Sequence, residues 1–559
     1  MKKSFNLIFH LKQQVLRKIV ILFSLMGLLI STVYSNNVRI EFTSPVLPVL
    51  TGKEYNPVQK IHLIRDNTDH SNDGYIIEKM FFSLEGTTDI NDIEYVSLFK
   101  SGENNILDTD QLIGKVKPVG NKVTFIDFSP ISEDTTSIWV VLTLKDNINL
   151  SHKLKITCID IVTNKGSINI PHYNSELLRV GVVVRQHNQD GVHTSRIPGL
   201  NMSKRGILMA IYDARHDMAR DLQGDIDIAM NRSFDGGCTW EPMQIVLDMN
   251  EWGGLPEKFN GVSDACILVD DKSGDIFVAG LWMYGVLDNE TGKWVEGLTA
   301  DSTRWIHQWH RMGSQPGYGV KETSQFLITK STDDGNTWSE PFNITPVKKK
   351  EWWLFAPAPG KGITMSDGTL VFPTQGRDES GISFSNITWS KDGGKTWKTS
   401  NPAQRNTTEC AVVELQNGCL MLNMRDNRNR DNKDINGRSI FITTDLGETW
   451  TEHPTSRKAL IEPTCMGSIH KHVYYKNGVE KSVLLFVNPE SISQRNNITL
   501  KVSIDEGETW PEEKKILLDE YSGRGYSCIT SVNETTIGIL YESSQADMVF
   551  QTVSLDEIM

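Results

Sequence analysis

The sequence has little positive charge and, after its first 30 residues, no hydrophobic run long enough to cross a bilayer. It holds 57 Lys and Arg against 70 Asp and Glu, which gives a net charge of −13 at pH 7. An acidic chain has no electrostatic basis for binding nucleic acid, so that class of function is excluded. If the ligand is an anion, the cations that bind it must be concentrated locally.

Cysteine is also sparse, with seven residues in 559. The number is odd, the spacing is not that of metal ligands, and most of the cysteines lie in apolar, strand-like runs, so we interpret them as small core residues. The pairs His307 with His310 and His470 with His472 have loosely metal-like spacing but no carboxylate or cysteine companions. The sequence therefore predicts no metal and no cofactor.

The first 35 residues are typical of a secretory signal peptide. A basic start precedes an apolar run from Ile19 to Ile30, and small residues come before Asn36. The alternative is an uncleaved membrane anchor. Removing residues 1–35 takes away five positive charges and no negative one, so the net charge moves from −13 to −18. We expect an exported protein that is periplasmic, on the cell surface or secreted, with no membrane span in the mature chain.

Residues 36–175 are predicted to form an antiparallel β-sandwich. Short strands alternate with turn signals, and Trp139 is the single tryptophan in this part out of 14 in the chain. Two roles stay open for this accessory domain, namely binding glycan and packing against its neighbour. The composition shift after about residue 175 predicts a second domain at 176–559.

One eight-residue pattern recurs five times in the second domain. It reads Ser/Thr-x-Asp-x-Gly-x-Thr-Trp, is called the Asp turn below, and starts at Ser233, Ser331, Ser390, Thr443 and Ser503. The Asp can cap backbone N–H groups, the Gly permits a left-handed residue and the Trp is an apolar anchor, so each copy predicts a tight hairpin. We interpret the five turn aspartates as structural.

The repeats and the short strands around them favour a β-propeller. Successive Asp turns start 53 to 60 residues apart, except for one interval of 98 residues between the first and the second. That interval has room for an inserted loop or for a blade that lacks the signature. Its segment from Trp282 to Trp309 is rich in Gly and Trp and is a candidate substrate-facing loop.

A second motif, Ser195-Arg196-Ile197-Pro198-Gly199, precedes the first Asp turn. With the Asp turns it resembles the sialidases, the exo-neuraminidase family, whose signature is Arg-Ile-Pro ahead of repeated Asp turns. The resemblance covers residues 180 to 545 and implies an all-β fold with a six-bladed β-propeller as the catalytic domain. Ser195 departs from the aromatic residue that the family often has there, which changes the neighbour of the arginine and not the arginine.

The resemblance assigns three substrate arginines to Arg196, Arg425 and Arg495. Sialic acid carries a carboxylate on its anomeric carbon, and guanidinium groups bind carboxylates with directional, charge-assisted hydrogen bonds. For Arg425 an alternative exists, because the Asn, Arg and Asp residues of 426–434 also read as a solvated loop.

The nucleophile implied by the resemblance is Tyr526, with Glu409 as its base. A neutral phenol avoids the repulsion that a carboxylate would meet at a carbon already bearing one, and sialidases are known exceptions to the two-carboxylate rule. A phenol with a pKa near 10 needs a neighbouring base to become a good nucleophile. Glu414, five residues after Glu409, reads as a strand-end residue.

The acid should be an aspartate between the arginine motif and the first Asp turn. The candidates are Asp217, Asp221, Asp225 and Asp227. Distance from Ser233 favours Asp221, with Asp217 second, whereas the other two are expected to flank a strand. Burial under bound sugar would help to raise the pKa of the acid.

Three further residues resemble supporting positions of the family. Arg215 and Asp264 would contact the O4 and N-acetyl region of the sugar, and Glu542 would pair with Arg196. Ordinary ion pairs are the alternative for all three.

The sequence thus predicts a monomeric, retaining exo-α-sialidase that acts on sialylated glycoproteins, glycolipids or oligosaccharides. The rivals are transfer of the sialyl group to an acceptor, its intramolecular release, and a non-catalytic propeller that only binds sialic acid.

Overall fold

The computed structural model describes residues 31–35, 38–65, 76–101, 107–126, 128, 135–170, 173–284, 286–293, 295–307, 314–431 and 436–559. The apolar run Ile19–Ile30 and most of the predicted signal peptide lie outside these residues. The described chain divides into two compact units, one up to Ile148 together with His152–Val180, the other Asn149–Ser151 together with Gly181–Met559. The division at Val180 lies close to the predicted boundary after residue 175.

The first unit contains two antiparallel sheets, as expected for the predicted β-sandwich. Strand β2 shows why this part is a sheet with one buried face, since its residues alternate between buried and half-buried. In order across the six-stranded sheet lie β1 Ser31–Ser35, β2 Val38–Thr43, β4 Asn56–Arg65, β9 Thr135–Leu144, β6 Ile93–Ser101 and β7 Leu112–Val116. The second sheet consists of β12 Gly166–Asn169, β11 Thr157–Thr163, β5 Ile77–Ser83 and β8 Lys122–Ile126, and the short strands are β3 Val49–Thr51 and β10 Lys153–Leu154.

The second unit is the six-bladed β-propeller, with six antiparallel sheets in chain order. The first blade is β14 Thr194–Met202, β15 Leu208–Arg215, β16 Ile226–Ser233 and β17 Gln244–Leu247. The second is β18 Val262–Val269, β19 Ile276–Trp282, β22 Gln325–Ser331 and β23 Phe342–Asn343, with β25 Gly360–Lys361 added parallel to β18. The third is β24 Leu354–Pro357, β27 Leu370–Arg377, β28 Ser383–Ser390 and β29 Lys398–Thr399, joined by β26 Ile363–Thr364 and β30 Gln404–Arg405.

The last three blades complete the ring. The fourth is β31 Thr407–Glu414, β32 Leu420–Asp426, β33 Ser439–Thr443 and β34 Thr451–Glu452. The fifth is β35 Ser468–Lys476, β36 Val479–Pro489, β37 Ile498–Ser503 and β38 Lys515–Asp519. The sixth is β39 Ser527–Asn533, β40 Thr536–Tyr541, β41 Met548–Ser554 and, paired with β41, β13 Leu178–Arg185. The sixth blade is therefore built from both ends of the propeller sequence, since Val182 of β13 pairs with Phe550 of β41.

Helix is scarce in the described part of the chain. It consists of one α-helical turn, α1 Leu555–Ile558, and the 3₁₀ turns Ile90–Asp92, Glu257–Phe259, Thr345–Val347, Asn427–Arg430 and Glu512–Lys514.

The long interval between the first two Asp turns holds an insertion and not an extra blade. The second blade runs from β19 through this interval directly to β22. The insertion contains a small hairpin of β20 Val286–Leu287 and β21 Ile306–His307. Of the two alternatives that the sequence left open, the inserted loop is the one observed.

Each Asp turn joins the third strand of its blade to the fourth. In the third blade, Asp392 accepts hydrogen bonds from the hydroxyl and the backbone N–H of Thr396, at 2.6 and 2.9 Å. These donors lower the pKa of Asp392 to about 2. Gly394 has φ +80°, and a Cβ there would lie 2.6 Å from the Phe277 ring of the second blade, so only glycine fits.

The contact with the preceding blade recurs around the ring. Trp450 of the fourth-blade turn donates its indole N–H to the carbonyl of Asn401 in the third blade. Trp240 of the first-blade turn packs edge-on against Phe550 of the sixth, with ring centroids 5.3 Å apart. The Asp turn therefore stabilises blade-to-blade packing as well as its own hairpin.

Candidate active site

One cavity of about 320 Å³ in the propeller is lined by residues from all six blades and their loops. Inner strands of a propeller surround a common axis, so residues far apart in sequence meet there. The predicted site residues that line the cavity are Arg196, Arg215, Asp221, Asp264, Glu409, Arg425, Arg495 and Tyr526. Glu542, the ninth, lies behind Arg196.

The centre of the cavity is a phenol held against a carboxylate. The Tyr526 hydroxyl donates a short hydrogen bond to Glu409. Nη1 of Arg425 lies 2.6 Å from Glu409 Oε2 and 3.0 Å from the Tyr526 oxygen. Burial, together with the charge of Glu409, raises the pKa of Tyr526 well above its ordinary value, although Arg425 opposes this rise. The phenol is therefore neutral, and the group placed to receive its proton is Glu409.

Glu542 fixes the first arginine. Arg196 donates from Nε to Glu542 Oε1 at 2.6 Å, and the backbone N–H groups of Ile197 and Tyr526 each donate to the same carboxylate at 2.9 Å. Burial disfavours the charged carboxylate, but Arg196 and the two N–H groups outweigh burial and lower the pKa of Glu542. One carboxylate thus ties Arg196 to the backbone of Tyr526.

The backbone of Ile197, the residue after Arg196, is held in a strained conformation. Its φ is +63°, which is a strained conformation for a β-branched residue. The strain falls at a bulge of β14, where the pairing with β15 shifts between Arg196 and Gly199.

The third arginine, Arg495, lies against the Tyr526 ring. Arg495 donates from Nη1 to the carbonyl of Arg524 at 2.9 Å, and its guanidinium lies 5.4 Å from the Tyr526 ring centroid. Among the residues that the structure describes, no hydrogen bond reaches Nη2 of either Arg425 or Arg495. These donors are available to a ligand carboxylate.

Asp221 is paired with cations. Arg215 donates from Nη1 to Asp221 Oδ1 at 2.5 Å, and Nη1 of Arg196 lies 3.6 Å from the same oxygen. Burial raises the pKa of the aspartate, but the two guanidinium groups outweigh burial and lower it. The Asp221 side chain is 61% exposed. The guanidinium groups thus favour the ionised form of Asp221, and the expected rise of its pKa under bound sugar stays a prediction.

The Asp221 loop is supported by the insertion of the second blade. Gln223 donates to the Trp305 carbonyl at 3.2 Å, and Leu222 packs against Leu281 and Met283. Asp217, the second candidate for the acid, instead accepts a hydrogen bond from the Asp225 backbone and does not line the cavity.

Asp264 lines the cavity from β18 of the second blade. It accepts a hydrogen bond from Gln375 Nε2 at 3.0 Å and has φ +62°, a conformation that Asp tolerates. Burial and the charges of Asp213 and Glu409 raise the pKa of Asp264 well above its ordinary value. A protonated Asp264 would be a hydrogen-bond donor as well as an acceptor.

Sequence reasoning missed several residues of the cavity wall. Asp213 is fully buried, accepts from Arg215 at 3.0 Å and from Ser263 at 2.5 Å, and so anchors the arginine that holds Asp221. The other missed polar residues of the lining are Ser263, Gln375, Arg377, Ser383, Thr408 and Arg430. None of them belongs to a repeated motif, so no sequence signal distinguished them.

Two overlapping groups of side chains near the base of the Asp221 loop have ligand atoms close enough for a metal ion. They are His216 with Asp225 and Asp227, and Asp227 with Asp248 and Glu257. Burial and neighbouring carboxylates raise the pKa of Asp227 to about 7. Neither group lines the cavity, and the absence of a metal from the reaction stays a prediction.

The cysteines play no part in the cavity lining. All seven are free thiols, and all except Cys238 are buried.

Comparison with known proteins gives matches across both units. A family model of a BNR repeat-like domain matches residues 197–534, and one of the N-terminal domain of BNR-repeat neuraminidase matches residues 37–124. The chain is 42% identical over 443 residues to a sialidase of Bacteroides fragilis (strain YCH46), which covers 79% of this chain and 77% of that protein.

Two further similar proteins are also sialidases. A sialidase of Paraclostridium sordellii is 28% identical over 374 residues, covering 62% of this chain and 81% of that protein. The solved structure of Hadza microbial sialidase Hz136 superimposes with a TM-score of 0.83 at 35% identity, over 93% of this chain and 100% of that one.

The fold, the site and these matches define a glycoside hydrolase built on a six-bladed propeller. More narrowly, the chain belongs to the BNR-repeat neuraminidases, the sialidases.

Proposed function

We propose that the protein is an exo-α-sialidase that hydrolyses terminal α-linked sialic acid with retention of configuration, using Tyr526 as its nucleophile. The observation that carries this proposal is the hydrogen bond from Tyr526 to Glu409, with Arg425 touching both oxygens. A phenol buried against a carboxylate gains nucleophilicity when its proton moves to that carboxylate.

Binding would rely on the three arginines that surround the Tyr526 ring. Arg196 and Arg495 lie 5.5 and 5.4 Å from the ring centroid, and Arg425 touches its hydroxyl. A substrate carboxylate held by these guanidinium groups places the anomeric carbon, to which it is attached, next to the nucleophilic oxygen.

In the first step Asp221 donates a proton to the leaving oxygen while Tyr526, deprotonated by Glu409, forms a bond to the anomeric carbon. The low pKa of Asp221 depends on Arg215 and Arg196. A substrate carboxylate that binds Arg196 adds negative charge beside Asp221, which raises the pKa of the acid when substrate is present.

In the second step water attacks the anomeric carbon from the face that the aglycone has left. Asp221, now ionised, takes a proton from that water, and the Tyr526 oxygen leaves and recovers its proton from Glu409. Two displacements at one carbon retain its configuration. The 61% exposure of the Asp221 side chain gives water access to this base.

The same exposure leaves an acceptor sugar a path to Asp221, so transfer of the sialyl group is the second candidate function. A purely sugar-binding propeller is disfavoured by the Tyr526 and Glu409 pair, because a buried phenol against a carboxylate adds nothing to carboxylate recognition.

The expected first product is the α-anomer of free sialic acid, which then mutarotates. Time-resolved ¹H NMR on a plain aryl sialoside measures this directly. The β-anomer as first product would refute the retaining mechanism. A dehydrated or sugar-linked product would establish intramolecular release or transfer in place of hydrolysis.

We also propose that the protein is exported, on the basis of the basic and apolar N-terminal pattern. None of the helices in the described residues has the length and apolar character that a membrane crossing requires. N-terminal sequencing of the mature protein tests the cleavage, and retention of Met1 would contradict it.

A further inference from the structure

Six arginines line the cavity, and two of them have no partner among the residues that the structure describes. Arg196, Arg215, Arg425 and Arg495 each make at least one hydrogen bond to protein. Among the described residues, neither a hydrogen bond nor an ion pair joins the guanidinium groups of Arg377 and Arg430 to the protein. The carboxylates in the lining number three, namely Asp221, Asp264 and Glu409.

The two unpartnered arginines lie on adjacent blades. Arg377 ends β27 of the third blade, and Arg430 ends the 3₁₀ turn that follows β32 of the fourth. Asn427 of that turn donates to the Ser383 hydroxyl at 3.2 Å, and Ser383 is the strand partner of Arg377. The turn therefore packs beside the strand end, and both arginines belong to one sector of the wall.

Carboxylates are present on the same loops but pair with other arginines. Arg405 lies 2.8 Å from Asp378, the residue directly after Arg377. Arg428 forms a forked pair with Asp426 at 2.6 to 3.1 Å. The carboxylates nearest in sequence are thus already paired and do not reach Arg377 or Arg430. Burial lowers the pKa of Arg377, and no carboxylate opposes this effect. An uncompensated cation at a cavity wall is stabilised by an anionic ligand group.

We propose that Arg377 and Arg430 bind a second anionic group on the substrate, a sulfate ester carried by the terminal sialic acid. This proposal rests on the proposed function, because the carboxylate of the same sugar is assigned to Arg196, Arg425 and Arg495. That carboxylate is assigned to three other arginines and leaves Arg377 and Arg430 without an anion, so a dianionic sugar matches the cavity better than a monoanionic one.

The blade order decides which part of the substrate carries the second anion. Asp221, which protonates the leaving oxygen, belongs to the first blade, and the first and fourth blades of a six-membered ring lie across the axis from each other. The sector of Arg377 and Arg430 is therefore on the side away from the aglycone. The group that they bind belongs to the terminal sugar itself and not to the next sugar of the glycan.

The test compares two synthetic sialosides that differ by one sulfate ester on the side-chain hydroxyls of the terminal sugar. For the wild type we expect kcat/KM about five- to tenfold higher on the sulfated compound at low salt, with the advantage shrinking as ionic strength rises. Arg377→Gln and Arg430→Gln should each lose most of that advantage, so that the ratio of kcat/KM on the sulfated compound to kcat/KM on the plain one falls toward one. Arg205→Gln, an exposed arginine of the first blade outside the cavity lining, is the control and should leave both rates unchanged.

Equal losses on the two compounds would overturn the proposal, since the arginines would then contact an uncharged part of the sugar. An advantage that appears on a disialoside instead would also overturn it, because the second carboxylate there belongs to the next sugar. If the wild type cleaves neither compound, the proposed hydrolysis fails. Calorimetric binding of the two compounds to Tyr526→Phe would then still show whether the sulfate gains affinity through Arg377 and Arg430.

Discussion

Replacing Tyr526 with Phe should lower kcat on an aryl sialoside by about 10³-fold or more, with little change in substrate affinity. The substitution removes one oxygen, which the structure places between Glu409 and Arg425. Because the ring stays, its packing against Arg196 and Arg495 is preserved, and those arginines still bind the carboxylate. Steady-state kinetics and calorimetry with a non-cleaved analogue measure the two quantities.

Tyr541→Phe is the matched control. Its hydroxyl is also buried in the sixth blade, where it donates to Gln551 away from the cavity. The control should keep kcat close to that of the wild type. A Tyr526→Phe enzyme with an unchanged rate would eliminate this residue as nucleophile.

Replacing Asp221 with Ala should separate substrates by their leaving groups. A natural sialoside has a poor leaving group that needs a proton, so its kcat/KM should fall by about 10²- to 10⁴-fold. An activated aryl sialoside leaves without help, so its glycosylation step should be nearly unaffected. The slope of log kcat/KM against the pKa of the leaving group measures this difference and should become steeper in the variant.

Asp217→Ala tests whether the effect belongs to one residue or to the loop. Asp217 lies on the same loop and holds the Asp225 backbone N–H, at 3.2 Å. The Asp217→Ala variant should leave the slope of log kcat/KM against the leaving-group pKa unchanged, even if the loop becomes less ordered. Equal losses on natural and aryl substrates in Asp221→Ala would point to a different acid.

The fold was accessible from sequence because its signals repeat. Five Asp turns and the alternating strands predicted the propeller, and the resemblance supplied the sixth blade. The structure explains why that blade has no Asp turn. The turn connects the third and fourth strands of a blade, and in the sixth these strands, β41 and β13, are not consecutive in the chain.

The site was accessible only where a residue stood in a distinctive motif. Arg196 in Arg-Ile-Pro could be located, whereas Gln375 and Arg377 at the end of β27 have no pattern around them. The ionisation of Asp221 could not be predicted either, because it depends on the distances to two guanidinium groups on β14 and β15. Such distances depend on tertiary packing, which composition and spacing do not reveal.

Closure of the sixth blade by β13 has a consequence for when activity can appear during synthesis. Arg196 emerges from the ribosome early, while Tyr526 and Glu542, which complete its surroundings, lie close to the C-terminus. A partly synthesised chain therefore contains neither Tyr526 nor the Glu542 carboxylate that orients Arg196. Enzymatic activity is therefore coupled to completion of the ring. A chain truncated before the sixth blade should leave β13 without its partner strand β41 and should show no sialidase activity.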